Sequence, residues 1–258
     1  MNDGNFGIVV SGGPAPGINS VIASVVVRAS NRGHKVLGLN RGFHGIVNLG
    51  QEVVEELTPK SVNHIAVTGG SVLGTSRFNP FESEESKTKL YDLLKANNID
   101  KLVVIGGEGS AYLSYRISED IPKVRVAHIP KTIDNDLILP NKHPSFGFET
   151  ARFAGCNILN TIMADAKTTN RWFIVRTMGR KAGFLALGLG MACGAAITII
   201  AEQFQDKKQI TLDDVAIPIF TSLKKRLSQG KGYGTAVIAE GIIAVSYTHL
   251  TLPTICSV

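Results

Sequence analysis

Short apolar runs alternate along the chain with stretches in which apolar residues recur every three or four positions. Phe6 to Val10 is apolar and ends at SGGPAPG, after which Ile18, Val21, Ile22, Val25, Val26 and Ala29 keep a helical period. The spacing predicts a strand, a glycine turn and a helix. Lys35 to Asn40 reads as a second strand, followed by a glycine-rich connection, RGFHGIVNLG, and a stretch from Gln51 to Lys60 without a clear period. Ser83 to Asn97 is predicted helical, with Leu90, Leu93 and Leu94 on one side and Glu84 and Glu85 near the positive end of its dipole. Leu102 to Ile105 is wholly apolar, as suits a strand covered on both faces. A helix from Ala111 to Ile117, a strand from Val124 to Ile129, a helix from Glu149 to Lys167 and a strand from Trp172 to Val175 follow. Further on come a buried helix from Arg180 to Cys193, a strand from Ala196 to Ala201, a capping box at Thr211 to Asp214 opening a helix, and a strand from Thr235 to Ala239. This alternation predicts an α/β fold of mostly parallel sheets sandwiched by helices.

Composition narrows the classes. With 44% hydrophobic and 19% charged residues the chain reads as globular, and its 27 Lys and Arg are scattered, not blocked, so the net charge of +6 points to small anionic substrates and away from nucleic acid. Cys156, Cys193 and Cys256 lack CxxC spacing, which fits a reducing compartment, and the polar start MNDGN carries no export signal, so cytoplasm is expected. Ala182 to Ala201 has no charge, but Gly188, Gly190 and Gly194 divide it into helix and strand, and no membrane span is expected.

The candidate chemistry centres on HIPKTIDND. Asp134 and Asp136 sit two apart, so in an extended segment both point to one side, where one could take a proton while the other holds a divalent cation. Taken alone, TIDND is also an ordinary solvated turn. The glycines of SGGPAPG let backbone N–H groups approach a ligand at a helix N-terminus, a phosphate cradle, although a bare strand-to-helix turn has the same composition. GGSVLGTSRF offers permissive backbone ahead of Arg77, whose guanidinium suits phosphoryl oxygens. GGEGS follows the Leu102 to Ile105 strand at its carboxyl end, where open α/β sheets bind ligands.

SGGPAPGIN, GGSVLGTSRF, GGEGS, PKTIDND and MGRKAG occur in that order, and together they resemble the phosphofructokinase family over nearly the whole chain, from Phe6 to Glu240. The resemblance implies two Rossmann-like lobes and phosphorylation of the 1-hydroxyl of fructose 6-phosphate to fructose 1,6-bisphosphate, a glycolytic step. It makes Asp134 the general base and Arg77 and Arg180 the charge stabilisers. Gly13, Arg77, Phe78, Gly107, Glu108, Gly109, Ser110 and Lys131 would line the donor phosphates. Thr132, Ile133, Asp134, Met178, Gly179, Arg180 and Glu240 would meet the sugar phosphate, and Arg171 would reach the substrate of a neighbouring subunit, which implies a homo-oligomer. Glu108 and Asp136 would hold Mg²⁺.

Departures from the family pattern qualify these expectations. Glu108 replaces the usual Asp and moves its carboxylate by roughly 1 Å. Gly109 leaves open the space of an ATP α-phosphate, whereas Lys131 and Pro14 resemble diphosphate-using and long-chain branches; ATP is expected ahead of diphosphate. The family's later histidine and arginines have no counterpart after Glu240, so the fold is expected to be incomplete and turnover weak or absent. The expected division is a donor lobe at 1–140 with a boundary near Pro140 to Pro144, a sugar-phosphate lobe at 141–244, and a tail at 245–258, VSYTHLTLPTICSV, that reads as foreign sequence. The rival readings are a non-catalytic sugar-phosphate sensor on the same fold and another kinase with a GGDG-like loop; the latter leaves TIDND and MGR unexplained.

Overall fold

Strands β1 (Asn5–Val10), β2 (Val36–Leu39), β3 (Val54–Leu57), β4 (Ile99–Gly106), β5 (Arg125–Thr132) and β6 (Phe146–Gly147) form one sheet in the order β3-β2-β1-β4-β5-β6. All neighbours are parallel except β2 and β3, which pair antiparallel at one edge. The computed structural model describes residues 4–245. Its registers stack cross-strand rows, of which Leu39–Val9–Val104–His128 lies on one face and Gly38–Ile8–Val103–Ala127 on the other.

The period of two sorts the strand side chains into two cores. Val9, Leu39, Leu102 and Val104 pack with Phe43 and Ile46 of α2 (Gly42–Leu49), with Leu90, Leu93 and Leu94 of α4 (Glu84–Ala96), and with Leu113 and Ile117 of α5 (Glu108–Asp120). Ile8, Val10, Val103 and Ile105 pack on the opposite face with Ile18, Ile22 and Val26 of α1 (Ile18–Ser30) and Val62 of α3 (Pro59–Val62). β4 is apolar in both registers because it is buried from both sides, which matches the expectation from LVVI.

Two stretches that carried little sequence signal prove structured. The glycine-rich connection is helix α2, in which Phe43, Ile46 and Val47 are buried and Arg41 serves as a left-handed N-cap at φ 61°. Gln51 to Lys60 contributes a 3₁₀ turn, the antiparallel strand β3 and the start of α3, which Thr58 and Ser61 cap reciprocally.

The chain divides into two units between Thr150 and Ala151, later than the expected boundary at Pro140 to Pro144. The reason lies in β6, which pairs Lys131 with Phe146 and Thr132 with Gly147 and so returns the segment after Pro140 to the first sheet. Helix α6 (Phe148–Thr169) then leads into the second unit. There β7 (Trp172–Thr177), β8 (Ile197–Ile199) and β10 (Gly234–Ala239) form a parallel sheet in the order β7-β10-β8, with β9 (Ile210–Thr211) and β11 (Ala244–Val245) paired separately.

Helix α7 (Phe184–Cys193) starts four residues after Arg180, where a longer helix was expected, because Gly179 and Arg180 adopt left-handed φ of 145° and 52°. Helix α8 (Leu212–Leu227) opens on the expected capping box: Asp214 N–H donates to Thr211 Oγ1 at 3.3 Å and Thr211 N–H to Asp214 Oδ2 at 2.8 Å. Cys193 Sγ donates to the Cys156 carbonyl at 3.6 Å, and burial pushes the Cys193 thiol up to about 11. Among the described residues no helix is long and apolar enough to cross a membrane. The expected foreign tail, with Cys256, lies outside the described residues apart from Val245, which pairs with Thr211.

Candidate functional site

In the first unit the carboxyl ends of β1, β4 and β5 carry three of the sequence motifs. Past β1, Ser11 N–H donates to the Ile105 carbonyl at 2.9 Å, Gly12 N–H to the Ser76 carbonyl at 2.8 Å, and Thr75 Oγ1 to the Gly12 carbonyl at 2.8 Å. The SGGPAPG turn is thereby laced to the loop that ends in Arg77. A methyl group built on Gly13 would lie 3.1 Å from Arg77 Nη2, and one on Gly12 would lie 3.6 Å from Lys131 Nζ and 4.0 Å from Gly107 N. Lys131 is 3% exposed, and its ammonium donates to the Gly13 carbonyl. Arg77 thus meets glycine backbone past β1, and Lys131 does so close to Gly107, the N-cap of α5, which brings no side-chain acceptor. That is the chemistry of an anion cradle.

The other residues expected at the donor phosphates differ in burial. Ser110 is buried and its N–H donates to the Gly107 carbonyl at 3.0 Å, whereas Glu108 and Gly109 are exposed, with nothing within 4 Å of a side chain built on Gly109. Phe78 is half-buried against the first core, edge-on to His44 at 5.7 Å between ring centres.

The TIDND segment bends where an extended strand was expected. Asp134 is buried and its N–H donates to Thr132 Oγ1 at 3.0 Å, Asn135 is left-handed at φ 55°, and Asp136 is exposed. The two carboxylates therefore do not share one strand face, because the left-handed residue between them breaks the period of two. Ile133 is half-buried. Ser145 was not anticipated: buried at 1% exposure, it donates from Oγ to the Thr132 carbonyl at 2.9 Å and from its N–H to Asn135 Oδ1 at 3.0 Å. Nothing in the surrounding KHPS singles it out. His128 was also missed as more than part of a motif; burial lowers its pKa, opposed by the backbone of Gly106 and Gly107 against its ring, and its Nε2 makes no hydrogen bond of ordinary geometry.

The second unit assembles the MGRKAG turn beyond β7. Glu240, directly after β10, accepts at Oε1 from Gly179 N–H at 3.1 Å and Arg180 N–H at 2.7 Å. Glu202, shortly after β8, accepts at Oε1 from Gly183 N–H at 2.7 Å, while its Oε2 is buried without a partner. The turn thus crosses the carboxyl end of the sheet in the strand order β7-β10-β8, pinned by a carboxylate at each of the last two strands. Met178 and Arg180 are exposed on it. Glu202 escaped notice in the sequence, although an acid just past a strand end was there to be read. Arg171 stands apart: it precedes β7 while Gly179 and Arg180 follow it, and six residues at roughly 3.3 Å each separate them by about 20 Å.

Glu108 and Asp136, expected to hold Mg²⁺, follow neighbouring strands, β4 and β5, as exposed carboxylates. Among the described residues no group of three or more His, Cys, Asp or Glu could enclose a metal ion. Two carboxylates without a full protein cage fit a hard divalent cation that keeps waters and phosphate oxygens as its remaining ligands.

Residues 5–254 match the family model described as phosphofructokinase. The chain belongs to the phosphofructokinase family. It is 47% identical over 238 residues to a pyrophosphate–fructose 6-phosphate 1-phosphotransferase of Thermotoga maritima, covering 92% of this chain and 56% of that protein. To an ATP-dependent 6-phosphofructokinase of Clostridioides difficile it is 38% identical, covering 93% of this chain and 70% of the relative. The solved structure of phosphofructokinase from Saccharomyces cerevisiae superposes with a TM-score of 0.81 at 25% identity, over 94% of this chain and 34% of that one. The chain therefore spans little more than half the length of its relative from Thermotoga maritima.

Proposed function

We propose that the protein transfers a phosphoryl group to the 1-hydroxyl of fructose 6-phosphate, with inorganic diphosphate as the donor. The observation that carries the donor is the buried Lys131 ammonium, held at the Gly13 carbonyl beside Arg77 and Gly107. Two cations over glycine backbone suit phosphoryl oxygens, and Lys131 resembles the diphosphate-using and long-chain branches of the family. The relative of 47% identity is named for diphosphate. ATP is the second reading, favoured by the open space at Gly109 and by the ATP-dependent relative.

In this reading Asp134 accepts the proton of the attacking hydroxyl, and Arg77 offsets the charge on the donor phosphates. Glu240 has Oε1 committed to the Gly179 and Arg180 amides, so Oε2 is the oxygen that meets a sugar hydroxyl, with Met178 and Gly179 alongside. Thr132 and Ile133 frame the sugar end. Glu108 and Asp136 hold Mg²⁺, which supplies electrostatic neutralisation of the phosphates when bound. Arg171, distant along β7 from Arg180, serves the 6-phosphate of a neighbouring subunit in a cytoplasmic homo-oligomer.

The test is a coupled assay for fructose 1,6-bisphosphate with each donor, alongside calorimetric titration of diphosphate and of ATP into the 258-residue chain. Diphosphate binding lost in Lys131→Ala supports the first reading. Tight ATP binding indifferent to Lys131 supports the second. In a version extended to the length of its relatives, Asp134→Ser is expected to lower turnover about a hundredfold or more while leaving donor binding intact; a variant that turns over normally would remove Asp134 from the chemistry.

A further inference from the structure

The loop that carries Arg77 begins as an exposed, glycine-rich segment: Thr68, Gly69, Gly70 and Val72 all face solvent. Such a segment has many conformations to lose, and something must select one. Asn19, in the first turn of α1, is 2% exposed and uses both ends of its amide on this loop. Its Nδ2 donates to the Thr68 carbonyl at 3.3 Å, to Thr68 Oγ1 at 3.1 Å and to the Gly69 carbonyl at 3.1 Å, and its Oδ1 accepts from Val72 N–H at 2.8 Å. One buried side chain therefore grips the loop from both sides of Gly70.

From that grip a continuous set of contacts runs to Arg77. Ser71 Oγ donates to the Gly74 carbonyl at 2.8 Å, the Leu73 carbonyl accepts from Arg41 N–H at 2.7 Å, and Thr75 and Ser76 bond to Gly12. Arg77 then stands against Gly13. We propose that Asn19 is a positioning residue for the phosphoryl donor, setting through Thr68–Val72 where the Arg77 guanidinium meets the cradle. This rests on the reading of Arg77 as a donor ligand given above.

Asn19→Asp has nearly the same shape and keeps an acceptor for Val72, but it turns an oxygen toward the Thr68 and Gly69 carbonyls where the amide had donated. Diphosphate titrated into the wild-type 258-residue chain, Asn19→Asp, Arg77→Ala and the double variant separates positioning from general support. The expected result is affinity weakened about tenfold or more by Asn19→Asp, with no further loss when it is added to Arg77→Ala, because the two act in series. Hydrogen exchange is expected to speed up at Val72 and across residues 68–77 while peptides from β4 keep their protection. Wild-type affinity in Asn19→Asp, or losses that multiply in the double variant, would overturn the role of Asn19 and leave the donor reading standing. Failure of the wild-type chain to bind either diphosphate or ATP would instead overturn the donor reading and this role together. Should Asn19→Asp not fold, Asn19→Ser carries the same cycle.

Discussion

Both units hold a turn that carries candidate site residues across the carboxyl ends of parallel strands, and they fasten it with opposite chemistry. In the first unit the staples are neutral or cationic: Thr75 on Gly12, Ser145 on Thr132, backbone pairs between Gly12 and Ser76, and the Lys131 ammonium on the Gly13 carbonyl. In the second they are anionic, with Glu240 on Gly179 and Arg180 and Glu202 on Gly183. A carboxylate gives the stronger bond to an amide, but beside a cradle for phosphates it would repel the ligand. The difference teaches that a site's charge constrains the residues that support it as well as those that line it. The cores differ too. Strands β1, β2 and β4 of the first unit are covered on both faces, whereas in the second unit Ile174 of β7 and Ile217 and Phe220 of α8 are 60–65% exposed.

The largest effect expected from this contrast is in the first core. Ile105 is fully buried, and Ile105→Ala should cost about 2–5 kcal/mol in chemical denaturation. Ile174→Ala, by contrast, should stay within about 0.5 kcal/mol. Next come the anionic staples: Glu240→Ala strands two amides and should destabilise the second unit by about 1–3 kcal/mol, largely recovered in Glu240→Gln, which keeps an acceptor. Equal losses in the two variants would show that the charge, and not the bond, matters. Thr211→Ala removes the N-cap of α8 and should cost about 1 kcal/mol, read as a lower melting temperature.

The smallest effect is a pH dependence at the same cap. The Lys207 ammonium, then the Thr211 backbone and hydroxyl, hold the Asp214 carboxyl down at about 2, against 3.8 ordinarily. A depressed carboxyl contributes stability that is complete above its unfolded value and fades as pH falls through the folded one. The helical signal of α8 should therefore weaken between about pH 4 and pH 2, and Asp214→Asn should remove that slope. A slope unchanged in the variant would assign it elsewhere.

Much of this was legible in the sequence. The strands around LVVI and the helix after SGGPAPG follow from apolar period, and the capping box at Thr211 from local hydrogen-bonding chemistry. What escaped was set by tertiary contact. Helix α2 is hidden in a glycine-rich run because its start is a left-handed arginine, and the later unit boundary depends on two residues of β6 joining β5. Ser145 and Glu202 act on partners 10 to 19 residues away, a reach that no local pattern encodes.

Arg180 is held at φ 52°, in a region that favours glycine and costs other residues about 1 kcal/mol or more. A directed-evolution campaign scored on heat resistance alone would be drawn to Arg180→Gly, and each round of such screening would reward discarding the guanidinium. Under the charge-stabilising role expected of Arg180, thermal selection and catalytic selection pull in opposite directions at this position, so any library built on this chain should fix it before the first round.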